Sequence, residues 1–420
     1  PALRDTILWF ALLFGFGGAG VALWGTPWAI IPFAVYGVLY GSSSDSRWHE
    51  SSHGTAFKTD WLNNALYEIA SFMVMRESVV WRWSHARHHS DTIIVGRDRE
   101  IALQRPSSLL KLALKFVNMP TFFLYFQAIL RHAFGRVTEE ERAFIPESEF
   151  GKVFARARIY VSIYAGVIVL AVATGSLLPL MLIGLPNLYG AWLMVVYGLT
   201  QHAGLAEDVL DHRLNTRTVL MNPINRYLYW NMGYHIEHHI FPMVPYYNLP
   251  QLHELVKDQL PPAYNGLIDA YREIIPTLLR AIKDPNYYLV RVLPDAPPQK
   301  EEAHSNQAVV SEAAPDAGGW VEVCDLSLLL PGEVLRFEHR GKSYAVYRTQ
   351  IGQLFASENK CTHGNADLAD GFLQGSCIEC PRHNGRFDIR SGAVLRPPPR
   401  VALKTYAARE HNGRVLLKVE

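Results

Sequence analysis

Two long stretches without a charged side chain constrain this chain more than any other feature. Residues 6–44 contain no Asp, Glu, Lys or Arg, and neither do residues 159–206. A helix crosses the hydrocarbon core with about 20 apolar residues. Each run is therefore long enough for two spans, turning at Gly25-Thr26-Pro27 and at Thr174-Gly175-Ser176. Backbone groups in lipid must be satisfied within the segment, which favours helices for runs of this kind. Residues 7–24 with 28–40, and 160–173 with 177–200, are expected as two hairpins, giving four transmembrane helices in a polytopic membrane protein. An apolar N-terminus also suits a secretory leader, but this one continues through its turn into a second span. A chain beginning at Pro1 is expected to have lost a short leader.

Around these spans lie three histidine boxes: His49-Glu50-Ser51-Ser52-His53, His85-Ala86-Arg87-His88-His89 and His235-Ile236-Glu237-His238-His239. Residues at i, i+3 and i+4 share one face of a helix, so each box is expected to aim its rings at one point. Imidazole-rich sites suit iron, copper, zinc or nickel, not magnesium or calcium. A polynuclear transition-metal site gathered from three stretches follows. The first box should lie on a helix running on past residue 40. Residues 62–75 and 107–130 are apolar but short or interrupted by Lys111 and Lys115, and read as interfacial or re-entrant helices. Two crossings between the second and third boxes return the chain to one side. Arg76, Arg82, Arg87, Arg97, Arg99, Arg105 and Lys111 crowd that side, which makes it cytoplasmic by the positive-inside rule. Amphipathic helices over 249–282 are expected to cap the site.

Two literal motif matches compete with this reading. His49-Glu50-Ser51-Ser52-His53 is an H-E-x-x-H, the pattern of a zinc hydrolase with Glu as general base. Such a site leaves six box histidines unexplained. Gly15-Phe16-Gly17-Gly18-Ala19-Gly20 matches a dinucleotide fingerprint but lies inside an apolar span with no preceding strand. Close helix packing through small residues explains it better.

The texture changes twice towards the C-terminus. Residues 294–318 are rich in Pro, Ala, Ser and charge without periodicity, a linker between a domain over 1–293 and another over 319–420. From Trp320 short alternating runs split by Gly-containing turns read as a small all-β domain. It carries Cys361-Thr362-His363 and Cys380-Pro381-Arg382-His383. Two Cys on one iron and two His on the other is the Rieske arrangement, although the same four ligands could hold one tetrahedral zinc. Cys324 and Cys377 read as packed strand residues, and four cysteines in 420 residues do not make a disulfide framework.

The three boxes, H-x(3)-H, H-x(2)-H-H and H-x(2)-H-H, resemble those of the integral-membrane fatty-acid-desaturase superfamily over roughly residues 6–290. The resemblance implies two iron ions held by His49, His53, His85, His88, His89, His235, His238 and His239, with no catalytic residue separate from these ligands. It also implies a ninth imidazole, for which His202 is the candidate and His212 the competitor. Ligating imidazoles need their second nitrogen oriented by an acceptor. Asp45, Glu50, Asp91, Asp208 and Glu237 lie near enough in sequence to serve. Tyr67, Trp81, Trp83, Tyr189 and Trp230 are either structural aromatics or channel lining. The C-terminal ligand stretches closely resemble Rieske ferredoxins of bacterial oxygenase systems, which implies a [2Fe-2S] cluster on Cys361, His363, Cys380 and His383. Respiratory Rieske proteins add a disulfide-forming Cys to each ligand loop. Here Gly364 and Asn365 follow His363, which implies the ferredoxin type and the lower end of the Rieske potential range.

Together the resemblances imply an O2-dependent di-iron oxygenase that receives electrons from its own Rieske domain. A linker of about 25 residues has a reach of roughly 25–30 Å, an effective concentration on the order of mM. No flavin or nicotinamide fingerprint survives its context, so a separate NAD(P)H-dependent reductase is implied. Net charge of +1 gives no reason to expect nucleic-acid binding; the expected partners are the lipid bilayer and an organic substrate. The segments around His212 and His235 look most like a bacterial branch found with rhizopine catabolism. That favours C–H hydroxylation, including hydroxylative demethylation, over acyl desaturation. An electron-transfer subunit serving another catalyst is a further alternative. The bacterial inner membrane is the expected location, with both metal sites on the cytoplasmic side.

Overall fold

Gly25, with φ +87°, turns the first charge-free run back on itself. Before it lies α1 (Ala2–Ala22), and after it a 3-10 turn at Pro27–Ala29 leads into α2 (Ile30–Gly37). The helix then widens into a π turn, Val38–Ser43, and resumes as α3 (Ser44–His53), which carries the first box. A π turn adds a residue to the local repeat and resets the phase of the residues beyond it. In this computed structural model residues 1–101, 108–294, 308–364, 366–381, 385–396 and 399–419 are described. The chain divides into two units, Pro1–Asp295 and Ala296–Glu420.

The first unit is helical. α4 (Asp60–Met73) and α5 (Ser78–Ser90), bearing the second box, follow the first hairpin. α6 (Leu109–Phe116) and α7 (Met119–Ala133) bend by 72° about Asn118, whose φ is +52°. α8 (Glu139–Arg142) is a single turn closed by a Thr138–Glu141 capping box, and α9 (Phe150–Thr174) is the longest helix. Beyond Gly175 the chain forms α10 (Leu178–Leu182), α11 (Pro186–Tyr189) and α12 (Trp192–His202). α13 (His212–Asn215), α14 (Pro223–Leu228) and α15 (His235–Ile240) follow, the last carrying the third box. α16 (Leu249–Val256) and the amphipathic α17 (Leu267–Lys283) end the unit.

Among the described residues two helices, Ala2–Ala22 and Glu147–Thr174, are long and apolar enough to cross a membrane, or three if the bent α6–α7 pair is one broken span. The second limb of each expected hairpin is interrupted. In residues 177–200 the interruption has a local cause: Pro186 has no amide hydrogen to donate to a preceding turn, Ile183 is extended at φ −136° and ψ 125°, and Gly184 adopts φ +99°. It also has a tertiary cause. A Cβ on Gly190 would lie 1.9 Å from the Gly37 carbonyl oxygen, and one on Gly37 2.2 Å from the Tyr189 ring. The two backbones touch. Gly190→Ala is accordingly expected to destabilise the helical unit by about 1–3 kcal/mol or more, the cost of overpacking, readable as a lowered unfolding midpoint in detergent; an unchanged midpoint would contradict the crossing. Small residues also let α1 meet α2: a Cβ on Gly17 would sit 3.0 Å from Tyr36 and one on Gly20 2.9 Å from Phe33. The glycine-rich run is a packing face.

The second unit is all β. A five-stranded sheet runs β1-β3-β4-β5-β10, a three-stranded sheet β11-β12-β2 and a four-stranded sheet β6-β7-β8-β9. The strands are β1 (Val309–Ser311), β2 (Trp320–Asp325), β3 (Val334–His339), β4 (Lys342–Arg348), β5 (Leu354–Glu358), β6 (Phe372–Gln374), β7 (Cys377–Glu379), β8 (Arg386–Asp388), β9 (Val394–Arg396), β10 (Thr405–Tyr406), β11 (Ala408–His411) and β12 (Arg414–Lys418). β1 falls inside the stretch read as linker: Val309 pairs in parallel register with Phe337, and Ser311 with His339. The rest of that stretch up to residue 307 lies outside the described residues, apart from Pro294.

Candidate metal centre

Nine imidazoles converge in the first unit, in two groups. His49 and His53 of α3, His85 and His89 of α5 and His238 of α15 form the first; His88 of α5, His202 of α12, and His235 and His239 of α15 form the second. Within each group one nitrogen from every ring lies within 4.8 Å of the others. Nε2 of His49 and His238 are 2.8 Å apart, those of His53 and His85 3.0 Å, and those of His85 and His89 3.2 Å. In the second group the Nε2 atoms of His202 and His239 each lie 3.2 Å from that of His235. Metal–imidazole bonds of about 2.1 Å meeting near right angles separate their nitrogens by about 3 Å, so the spacing suits a common cation in each group.

The boxes do not each aim at one point. In α5 the i, i+4 pair His85 and His89 enters the first group, while His88 enters the second; in α15 the pair His235 and His239 enters the second, while His238 enters the first. At 3.6 residues per turn, positions i and i+4 diverge by about 40° and i+3 falls on the other side of i. One H-x-x-H-H box thus contributes to both histidine groups. His202 sits at the C-terminal end of α12, within the second group. His212 lies outside both groups, its ring 5.1 Å from that of His239.

Burial, reinforced by neighbouring imidazoles, holds His49, His85, His89, His235 and His239 well below the ordinary histidine range. Burial likewise brings His202 and His238 to about 3. These rings are neutral at physiological pH, the form that ligates. His88 differs: burial would lower it, but the Asp98 carboxylate, 2.8 Å from its Nδ1, raises it instead.

The groups that orient the rings are not those nearest in sequence. His88 Nδ1 faces Asp98 and His85 Nδ1 faces Glu100 at 3.1 Å. His202 Nδ1 donates to the Asn215 carbonyl at 2.9 Å, and His239 Nδ1 lies 3.2 Å from the Thr92 hydroxyl. The five acids expected in this role are engaged elsewhere. Asp45 pairs with Arg76 at 2.5 Å, Asp91 with Arg97 at 3.2 Å, and Asp208 accepts from the Val95 amide at 2.8 Å. Glu237 holds Thr218 and His253. Glu50 accepts from the Thr55 hydroxyl at 2.8 Å and the Tyr246 amide at 3.0 Å. The acid of the H-E-x-x-H pattern is therefore a structural tie between α3 and the chain beyond α15, and five imidazoles surround a point where a zinc hydrolase needs two and one further ligand. Burial pushes Glu100 up to about 7; a cation on the far nitrogen of His85 favours its ionised form. Asp98→Asn and Glu100→Gln are each expected to weaken metal retention about 10–100-fold, read by metal analysis after dialysis against a graded chelator; unchanged retention in both would remove these carboxylates from the centre.

In the second unit Cys361 lies just beyond β5 and Cys380 just beyond β7, both buried. Each amide closes its own loop, Cys361 donating to the Ala366 carbonyl and Cys380 to that of Gly385, both at 2.8 Å. The two thiols share a hydrogen bond, which with burial pushes Cys361 up, while the amides of His363 and Gly364 act to lower it. His363 is half-buried on the same loop as Cys361; His383 lies outside the described residues. Cys324 is buried in β2 and Cys377 is half-buried at the start of β7.

Comparison with known proteins adds to this geometry. Residues 25–271 match the family described as fatty acid desaturase, and residues 319–407 the Rieske [2Fe-2S] domain. The ferredoxin component of the naphthalene 1,2-dioxygenase system of Pseudomonas putida is 43% identical over 98 residues, 23% of this chain and 93% of that protein. The ferredoxin component of the naphthalene 1,2-dioxygenase/salicylate 5-hydroxylase systems of Ralstonia sp. is 42% identical over 101 residues, 24% of this chain and 96% of that protein. Among solved structures, the ferredoxin of Sphingomonas yanoikuyae B1 is 36% identical with a TM-score of 0.23, covering 24% of this chain and 98% of its own.

Proposed function

The chain belongs to the fatty acid desaturase family and ends in a Rieske domain, and from that premise we propose an O2-dependent oxygenase that hydroxylates a C–H bond of an organic substrate with electrons from its own C-terminal domain. The family and the histidine groups make it a di-iron oxidoreductase, and the Rieske domain adds a [2Fe-2S] cluster. One observation carries the reading: two adjacent all-imidazole groups in a chain that also carries a one-electron donor domain. When bound, a di-iron centre supplies reductive activation of dioxygen and attack on an unactivated C–H bond.

The chain's own residues do the rest. His49, His53, His85, His89 and His238 hold one iron; His88, His202, His235 and His239 hold the other. Asp98, Glu100, Asn215 and Thr92 orient four of these rings through their outer nitrogens. Cys361, His363, Cys380 and His383 hold the Rieske cluster, tethered to its acceptor by residues 294–307. A separate NAD(P)H-dependent reductase reloads it one electron at a time. The family is membrane-associated and two helices have the required length and apolarity. The charge-free runs support four crossings of the bacterial inner membrane, with both metal sites on the cytoplasmic side.

Acyl desaturation by the same electron route is the second reading, favoured by the family itself. Turnover under 18O2 separates the two. Hydroxylation, and demethylation that begins with it, place label in an alcohol or aldehyde, whereas desaturation releases both oxygens as water. The iron-replete chain with reductase and NAD(P)H is expected to consume dioxygen and label an organic product. Zinc in place of iron, or product formation without dioxygen uptake, would end the oxygenase reading.

A further inference from the structure

Electron-rich rings stand against the first histidine group. Trp48, buried on α3, has its indole 5.1 Å from the His85 ring and 6.1 Å from that of His49. Trp81, one turn before His85 on α5, lies 6.1 Å from Trp48, and Tyr67 of α4 stacks on Trp48 at 6.4 Å. Each of the three carries a guanidinium on its face. Arg76 sits 4.1 Å from the Trp48 ring centre and 5.0 Å from that of Trp81, and Arg82 sits 4.1 Å from that of Tyr67. We propose that Arg76 is a redox-insulating residue, which makes Trp48 and Trp81 harder to oxidise and so keeps the oxidising power of the centre for its substrate. Arg82 does the same for Tyr67. This inference rests on the oxygenase reading and goes beyond it.

Indole and phenol are among the side chains that lose an electron most readily, so a centre that attacks unactivated C–H bonds endangers its own wall. The suppressed step is loss of one electron from the Trp48 indole to the centre, which leaves the ring a radical cation and the centre reduced by one electron. In its ordinary state the negative face of the indole attracts the guanidinium. Once oxidised, the ring and Arg76 are like charges in contact, and burial leaves their repulsion poorly screened. Asp45, paired with Arg76 at 2.5 Å, offsets part of that field while fixing the guanidinium in place. Tyr67 has a second safeguard. Its oxidation requires loss of the phenol proton, and its hydroxyl donates at 2.7 Å to the Ser78 carbonyl, a neutral oxygen that is no base. The rings are not sealed from small molecules: Trp48, Trp81 and Arg76 share a cavity of about 180 Å³ with His49, His88 and Arg99. Of the five aromatics singled out in the sequence only Trp81 lines this cavity. Tyr189 donates to the Met181 carbonyl and Trp230 stacks on Tyr246.

The test maps oxidised residues by peptide mass spectrometry on the full-length, iron-replete chain in lipid nanodiscs. Hydrogen peroxide is the reagent, since it delivers dioxygen and two electrons together; the zinc-loaded chain is the control. Asp45→Asn removes the partner and keeps the guanidinium. Asp45→Asn combined with Arg76→Met removes both charges without stranding a carboxylate. Hydroxytryptophan and N-formylkynurenine at Trp48 and Trp81 are expected to rise about 10-fold in the double variant, the scale of a cation–π contact, and not to rise in Asp45→Asn. Arg82→Met should raise oxidation at Tyr67 alone. Trp61, 67% exposed, reports peroxide chemistry in solution and should not change between variants. A purely structural ion pair predicts the same rise in Asp45→Asn as in the double variant. That result, or no rise in the double variant, overturns the inference and leaves the oxygenase reading intact. Iron-replete protein that shows no oxidation beyond the zinc control in any variant generates no oxidant, and would instead sink that reading and the inference with it.

Discussion

Replacing His238 with alanine or glutamine is expected to abolish product formation while leaving the Rieske EPR signal in place. His238 is completely buried, it is the one contribution of α15 to the first histidine group, and its Nε2 lies 2.8 Å from that of His49. Under the proposed ligand division its loss would leave four imidazoles for one iron and open the coordination shell to water. The effect should exceed the ~10–100-fold that follows loss of an orienting partner. Glutamine keeps most of the side-chain volume, so a matched unfolding midpoint would separate loss of ligation from the cavity cost of truncation. Metal analysis should show less iron per chain than wild type. Unchanged product formation in either variant would remove His238 from the centre and with it the proposed ligand division.

Cys380→Ser should give the converse phenotype. Cys380 is buried beside Cys361, and a cluster lacking one of its two thiolates is not retained. The visible colour and EPR signal of the [2Fe-2S] centre are expected to vanish, and NAD(P)H-driven turnover to fall to background. The histidine groups sit in the other unit, so their iron should stay, and an added reduced Rieske ferredoxin should restore part of the turnover. Undiminished NAD(P)H-driven turnover in the variant would mean that electrons reach the di-iron centre by another route.

These two outcomes concern residues already visible as motifs. The spacing of the boxes and of the Cys-x-His and Cys-x-x-His pairs is local chemistry, readable because ligand sets repeat at short, fixed separations. The partners of those ligands were less legible. Asp98 and Glu100 follow the second box by nine and eleven residues and face His88 and His85 because the chain after α5 folds back over it. The one available signal was the Arg97-Asp98-Arg99-Glu100 run beside a metal box, where alternating charge also suits an exposed loop. The nearer acids, Glu50 and Glu237, look equally suitable in the sequence but tie elements together instead. Arg76 and Arg99 show the same limit. Both count towards membrane sidedness when read in order, yet both line the cavity beside the histidines.

What the sequence alone determined is the chemistry and the class of scaffold: apolar helices bounded by charge, three imidazole boxes, and a β domain with a two-Cys, two-His ligand set. Composition and short-range periodicity suffice for these because they depend on residue type and helical phase. Tertiary structure decided how those parts combine. The division of each H-x-x-H-H box between two centres depends on where neighbouring helices place the partner rings. The interruption of residues 177–200 depends on a backbone crossing between Gly37 and Gly190, and the polar character of the cavity on side chains brought together from α3, α5, α6 and α12. Contacts between residues far apart in the chain carry no signature at either position, so only the folded arrangement assigns them.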